Sequence, residues 1–332
     1  MIGHQWAIDL LQKHIQTEQM RHAYLLLGPE SLGKTTLALR FAQALNCLQP
    51  VFHNEPCGHC IPCRQIEDGN FPDVRLIRPE TTSEEVKVDE VRDLSRWLAL
   101  SPYQSKWRIA ILADFHQANE HAANALLKTL EEPGGNALLL LTAHSAEDLL
   151  PTIVSRCEVL KLRPVPVDEL CQSLLERGLD EEDVRLYARI SGGFPGKAIT
   201  LLEDSEAAEH RKQRLEEHAL LLTSNRAERS DYASKMSRFH KEAWVVRGEV
   251  LETLAYWQLL WRDVMLINSG ANVAIQNQDL REIIDQLTLQ VSVTDTLSIL
   301  KKIHQTGDAV QRNANIRLAL ESLLLTLPYL QV

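Results

Sequence analysis

Gly28-Pro29-Glu30-Ser31-Leu32-Gly33-Lys34-Thr35 fills every fixed position of the phosphate-loop pattern G-x-x-x-x-G-K-[ST]. The chemistry of that pattern is the cradling of phosphate by backbone N–H groups turned into a concave loop, a backbone path that Gly28 and Gly33 permit. Lys34 would reach the terminal phosphates, and the Thr35 hydroxyl would ligate Mg²⁺. Thr36 follows at the start of a helix whose positive N-terminal end faces the same anion. A relic loop that keeps this shape without nucleotide is the alternative reading.

A second chemistry begins twelve residues after Thr35. Cys47-x9-Cys57-x2-Cys60-x2-Cys63 places four thiols within seventeen residues. In a reducing compartment such spacing reads as a metal site rather than disulfides. Four thiolates complete a tetrahedral shell around Zn²⁺ with no position left for water, so the site would be structural. Pro50, Gly58 and Pro62 suit a knuckle, and His53 and His59 lie nearby. An iron–sulfur cluster and four unligated thiols remain as alternatives. Cys157 and Cys171 stand apart and read as ordinary buried thiols.

Hydrolysis needs more than the loop. An Asp must hold Mg²⁺, and an adjacent acid must polarise the attacking water. The strand that would carry them, Arg108-Ile109-Ala110-Ile111-Leu112-Ala113-Asp114-Phe115-His116, ends in the single acid Asp114. His116 and Asp73 are weak substitutes that read more simply as structural or solvated groups. Arg156, in Ser155-Arg156-Cys157, is either a surface ion-pair residue or a finger for a neighbouring subunit's phosphate. Thr142 is either a common strand-end threonine or a phosphate sensor.

These residues must be held by an α/β scaffold. Ala23–Leu27 is a buried strand leading into the loop, and Thr35–Leu48 is a helix with apolar residues at three- and four-residue steps. Val74–Ile77, Arg108–Leu112, Ala137–Thr142 and Glu158–Leu162 read as further strands, with helices over Val88–Leu100 and Ala118–Leu130. The alternation predicts a mostly parallel sheet covered by helices. Pro164-Val165-Pro166 bars a continuing helix and marks a domain boundary. Beyond it only helices are expected: Val167–Arg177, Glu181–Ile190 and Lys197–Glu203, then amphipathic helices to Val332. Ala243–Asn268 and Thr294–Thr306 are the clearest of these. The expected domains are 1–163 with the cysteine module at about 47–72, 164–204, and 205–332.

The 332-residue chain is too long for one ordinary core. Its net charge of −10 excludes coating nucleic acid by bulk charge. No run of eighteen apolar residues suggests a membrane span. The N-terminus, MIGHQWAIDLLQKHIQ, reads as an amphipathic helix rather than a signal peptide, so a cytoplasmic location is expected.

HAYLLLGPESLGKTTLA (22–38), NALLKTLEEP (124–133), SRC (155–157) and the four-cysteine insertion together resemble the bacterial DNA polymerase III clamp loader. The likeness covers about residues 20–163 well; 205–332 match in length and helical character. It implies an AAA+ nucleotide-binding fold, a small three-helix lid and a helical collar that joins five subunits. That family holds ATP-hydrolysing motors (gamma/tau) and a non-hydrolysing stator. Motors carry an Asp-Glu pair before the NALLK asparagine. Counting back eleven and ten residues from Asn124 gives Ala113 and Asp114, so the metal-holding acid is missing. Motors also carry a lid arginine, at about the position of Gly196 in Gly193-Phe194-Pro195-Gly196-Lys197.

Both departures favour the stator, with a gamma/tau-like motor as the alternative. The resemblance then implies that Arg156 serves the adjacent motor's ATP site in trans, and that the chain has little or no ATPase of its own. The partners it implies are the motors and the clamp-opening delta subunit in a hetero-pentamer. Through the complex come the sliding clamp, primer-template DNA and the polymerase's nucleotidyltransferase activity. This sequence has no carboxylate cluster for nucleotidyl transfer. The intact loop leaves binding of ATP and Mg²⁺ at Gly28, Gly33, Lys34, Thr35, Thr36, Asp114 and Thr142 open.

Overall fold

The computed structural model describes residues 1–51, 54–79, 86–237, 243–271 and 273–330. They fall into two compact units. One comprises Met1–Leu170 with Phe194–Gly196, the other Cys171–Gly193 with Lys197 onward.

The first unit is built on five parallel strands: β1 (Ala23–Leu27), β2 (Val74–Ile77), β3 (Arg108–Leu112), β4 (Ala137–Ala143) and β5 (Glu158–Lys161), in the order β2-β3-β4-β1-β5. Registers such as Leu25 opposite Leu141 and Val159 place β1 between β4 and β5. Its helices are α1 (Gln5–Gln16), α2 (Lys34–Asn46), α3 (Ile61–Glu67), α4 (Val88–Leu98), α5 (Glu120–Glu131) and α6 (Pro151–Val154). Alternate strand residues supply the two faces. Leu25, Leu27, Ala110, Leu112, Leu139 and Leu141 belong to a core with Leu94, Leu98 and Leu126 of α4 and α5. Tyr24, Leu26, Ile109, Ile111, Leu138 and Leu140 belong to the opposite core with Leu11, Leu37 and Phe41 of α1 and α2. Both faces are therefore buried, which is why β1, β3 and β4 read as unbroken apolar runs.

The expectation of a parallel α/β sheet covered by helices is met, and element ends shift for local reasons. The second helix stops at Asn46 because Cys47 is extended (φ −68°, ψ 129°). The fifth starts at Glu120, where the Asn119 side chain accepts the Ala122 N–H at 2.9 Å, behind a 3₁₀ turn at Phe115–Gln117.

Asp73 is fully buried and structural. Its carboxylate accepts the N–H groups of Tyr103, Gln104 and Ser105 at 2.7–3.0 Å and lies 3.9 Å from Arg108 Nε. Arg108 in turn donates to the Ser101 and Trp97 carbonyls and lies over the Trp97 ring.

The remaining elements are helical, as expected: α7 (Val167–Leu175), α8 (Glu181–Ile190), α9 (Pro195–Glu203), α10 (Ser205–Thr223), α11 (Arg226–Ser237), α12 (Ala243–Asn268), α13 (Arg281–Gln290), α14 (Val293–Gln311) and α15 (Ile316–Thr326). Trp257 and Trp261 of α12 centre the core of the second unit. His218 stacks on Trp257 at 4.2 Å and accepts the Trp261 indole N–H at 2.8 Å, and burial drives its pKa down to about 3, so it packs as a neutral ring. Arg229, 4% exposed, donates to five carbonyls: Leu221, Leu222, Leu324, Leu327 and Pro328. That guanidinium ties the ends of α10 and α15 together by closing carbonyls the helices leave open.

Removing the Asp73 carboxylate leaves three amides without their acceptor and the buried Arg108 without its counter-charge, so Asp73→Ala is expected to cost about 3 kcal/mol in urea unfolding. Burial raises the Asp73 pKa, but the amide donors outweigh it and hold the pKa below the ordinary value. Its stabilisation is therefore complete above an unfolded pKa of about 3.9 and lost as pH falls through the lower folded value. Asp73→Asn should flatten that acid limb of the stability–pH curve.

Candidate nucleotide and metal sites

Parallel strands end on the same edge of a sheet, and adjacent β1, β3 and β4 deliver their following residues to one crevice. The phosphate loop leaves β1 there. Gly28 has φ +149°, and a Cβ on it would meet the Leu162 carbonyl oxygen at 3.0 Å. Gly33 has φ +87° and caps α2 in the left-handed region, where a side chain is strained. The loop is pinned from outside. His4's ring nitrogen lies 2.9 Å from the Leu32 carbonyl oxygen, and the Gly196 N–H donates to the Ser31 carbonyl at 2.9 Å. A Cβ on Gly196 would come within 3.0 Å of that oxygen, so this position faces the loop as bare backbone.

Lys34 is 5% exposed and donates from Nζ to the Gly28 and Pro29 carbonyls at 2.7 and 2.9 Å. Burial pulls its pKa below the ordinary ammonium value, against the pull of the Asp114 and Glu30 carboxylates. The ammonium thus closes its own loop, and a bound phosphate would draw it away from these carbonyls. Thr35 and Thr36 lie in the first turn of α2, next to Lys34.

At the end of β3, Ala113 is buried and its N–H donates to the Ile77 carbonyl, leaving a methyl group at this position. Asp114 follows in the left-handed region (φ 48°), and its N–H donates to Thr142 Oγ1 at 2.8 Å. Thr142 is fully buried in β4 and positions the Asp114 backbone. The Asp114, His116 and His144 donor atoms lie within 4.8 Å of one another. The Glu30 carboxylate stands 3.3 Å from His144 Nε2, and this contact holds its pKa below the ordinary value. Burial lowers the His116 pKa, and His144 reinforces the shift.

The four cysteines come together as their spacing predicts, all four sulfurs lying within 4.8 Å of one another. Cys47 ends α2, Cys57 and Cys60 lie in the following loop with Gly58 at φ +76°, and Cys63 is buried in the first turn of α3. The Cys47–Cys60 sulfur separation of 3.9 Å approximates a tetrahedral edge. Zn–S bonds of about 2.3 Å would make that edge about 3.8 Å. The Cys57 and Cys60 N–H groups donate to the sulfurs of Cys47 and Cys57 at 3.3 Å. Burial opposes ionisation of Cys60, but donors at Leu48 and Cys63 bring its pKa down to about 6. Burial pushes Cys63 up. The all-sulfur donor set and its spacing fit a metal ion. His53 lies outside the described residues.

Arg156 sits on the opposite edge of the sheet. It precedes Glu158, which pairs with Tyr24 at the start of β1, whereas the loop follows Leu27. The guanidinium donates to Glu131 at 2.8 Å and to the Thr152 carbonyl at 3.0 Å and keeps about a third of its side chain exposed. Its acceptor is the last residue of α5 and the first glutamate of NALLKTLEEP.

Residues 3–166 match the family model described as DNA polymerase III, delta subunit, and residues 208–328 match that for the C-terminal part of the delta subunit. The delta-prime subunit of Bacillus subtilis is 28% identical over 320 residues, 96% of this chain and 94% of that relative. The chain belongs to the DNA polymerase III delta-prime family. The family's Pseudomonas aeruginosa member is 38% identical over 180 residues, 53% of this chain and 54% of that protein. The tau subunit of Escherichia coli is 32% identical over 215 residues, covering 63% of this chain but only 33% of tau. The Bacillus subtilis delta-prime likeness thus extends through the helical half, and a tau subunit of the same organism, 27% identical, also spans 92% of this chain.

Sequence reading missed His4 and His144, which reach the loop from a distance, the backbone contact that Gly196 makes to it, and the Glu131 partner of Arg156. No local motif signals them. Cys60→Ser is expected to strip the cluster of bound metal in elemental analysis and to reduce hydrogen-exchange protection over residues 47–67.

Proposed function

We propose that this delta-prime-family chain is the non-hydrolysing stator of a clamp loader, lending Arg156 in trans to the ATP site of an adjacent gamma/tau motor. The observation that carries the reading is the buried Ala113 at the end of β3. With Asp114 the lone acid there, this site cannot both hold Mg²⁺ and polarise water. The opposite-edge position of Arg156 supports the second half, because a guanidinium beyond the start of β5 points away from its own loop. Its tie to Glu131 is a partly exposed pair, worth about 1 kcal/mol or less, so a phosphate transition state in a neighbour can take it over.

In this reading Gly28, Gly33, Lys34, Thr35, Thr36, Asp114 and Thr142 bind ATP with Mg²⁺ without turning it over. Zn²⁺ fills the cysteine site as a structural ion. Residues 1–163 form the nucleotide-binding domain, 164–204 the lid and 205–332 the collar of a hetero-pentamer with the motors and the clamp-opening delta subunit. The complex uses the motors' ATP to load the sliding clamp on primed DNA in the cytoplasm. Among the described residues no helix is long and apolar enough to cross a membrane.

In a reconstituted loader, Arg156→Ala is expected to lower DNA-stimulated ATP turnover at the adjoining motor site by about 10³-fold or more while the complex still assembles. Unchanged turnover would remove the trans role. Calorimetric titration of Mg-ATP into the chain alone should show saturable binding that Lys34→Ala abolishes, with no phosphate released. Phosphate release that Lys34→Ala stops would instead identify a gamma/tau-like motor.

A further inference from the structure

We infer that Asp114, His116 and His144 form a second metal site, at the mouth of the phosphate loop, that takes a borderline divalent transition-metal ion such as Zn²⁺ without nucleotide.

The three side chains come from two neighbouring strand ends. Asp114 and His116 follow β3, and His144 follows β4. Their donor atoms already lie within 4.8 Å of one another. Metal–nitrogen and metal–oxygen bonds of about 2.0–2.2 Å place tetrahedral donors about 3.4 Å apart, a closure that side-chain rotation supplies. The two imidazole rings lie 4.1 Å apart, tilted by 32°. Rings held that close have no reason to approach for charge, since two imidazolium ions repel.

Two further observations point to a ligand. Among the described residues His116 Nδ1 is a buried ring nitrogen without a hydrogen-bond partner, a costly state that an ion relieves, and His144 Nε2 has only the Glu30 carboxylate near it. Glu30 Oε1 stands 3.3 Å from His144 Nε2 without the geometry of a hydrogen bond, close enough to turn a second carboxylate toward the same ion. Two imidazoles and one or two carboxylates suit Zn²⁺, Co²⁺ or Ni²⁺, whereas Mg²⁺ favours an all-oxygen shell. The site is chemically distinct from the all-thiolate cluster, and no phosphate takes part in it. An ion there would engage Asp114, a residue that the nucleotide reading assigns to Mg-nucleotide, so the two ligands should compete.

The test uses the full chain with its cysteine cluster first filled by one equivalent of Zn²⁺. Co²⁺ is then titrated in without nucleotide, and the histidine ring protons are followed by NMR. One further equivalent should bind and perturb His116 and His144 ahead of the chain's other ten histidines among twelve. His116→Gln and His144→Gln should each weaken that binding about tenfold or more, while His304→Gln leaves it unchanged. Absence of a second equivalent overturns the proposal, as does perturbation spread evenly over exposed histidines. The ring-proton result comes from the unsubstituted chain, so a variant that fails to fold does not decide the outcome. Mg-ATP added afterwards should raise the apparent Co²⁺ dissociation constant; failure of ATP to bind would bear on the nucleotide reading alone.

Discussion

Everything chemical in the first unit depends on β1 being paired in parallel with both β4 and β5. Parallel pairing gives the sheet two unlike edges. One collects the residues that follow β1, β3 and β4, and so assembles the phosphate loop, Asp114 and His144. The other collects the residues that precede the strands, and so carries the Ser-Arg-Cys turn. A single fold thus presents a phosphate cradle on one edge and a guanidinium on the other. That arrangement supports the proposed reading, in which the subunit receives nucleotide on one side and offers an arginine on the other.

The same constraint demands burial of both sheet faces, and the chain meets it with apolar strands. Two of the charges that enter the interior are closely answered. Asp73 is met by three amides with Arg108 close by, and Arg229 by five carbonyls. Each links segments far apart in sequence, in positions where an apolar residue would leave backbone groups without partners. Lys34 differs in kind. Its partners are carbonyls of its own loop, so its hydrogen bonds can be exchanged for a ligand without unfolding anything.

Local chemistry was legible. The loop pattern requires glycine where φ is positive, and Gly28 and Gly33 sit there. The cysteine spacing closes four sulfurs on one point because a short knuckle gives them little other freedom. Strands β1, β3 and β4 were readable as apolar runs, since burial on both faces removes the polar alternation that would hide them among helices. Helix ends were less so. The stop at Asn46 is set by the extended Cys47, and the start at Glu120 by an Asn119 cap behind a 3₁₀ turn, features that hydrophobic periodicity does not contain.

The sequence by itself determined the class of chemistry: a phosphate loop, a thiolate cluster, and β3 ending in Ala113-Asp114 where hydrolysis requires two acids. These are properties of residue type and short spacing, which a folded backbone preserves. Only the tertiary structure decided which residues share an edge. Strand order placed His144 beside His116, 28 residues apart in the chain, set Gly196 against Ser31, and turned Arg156 onto Glu131 away from its own loop. Those pairings follow from strand order and loop closure, long-range choices made by the whole core, and no window of sequence encodes them.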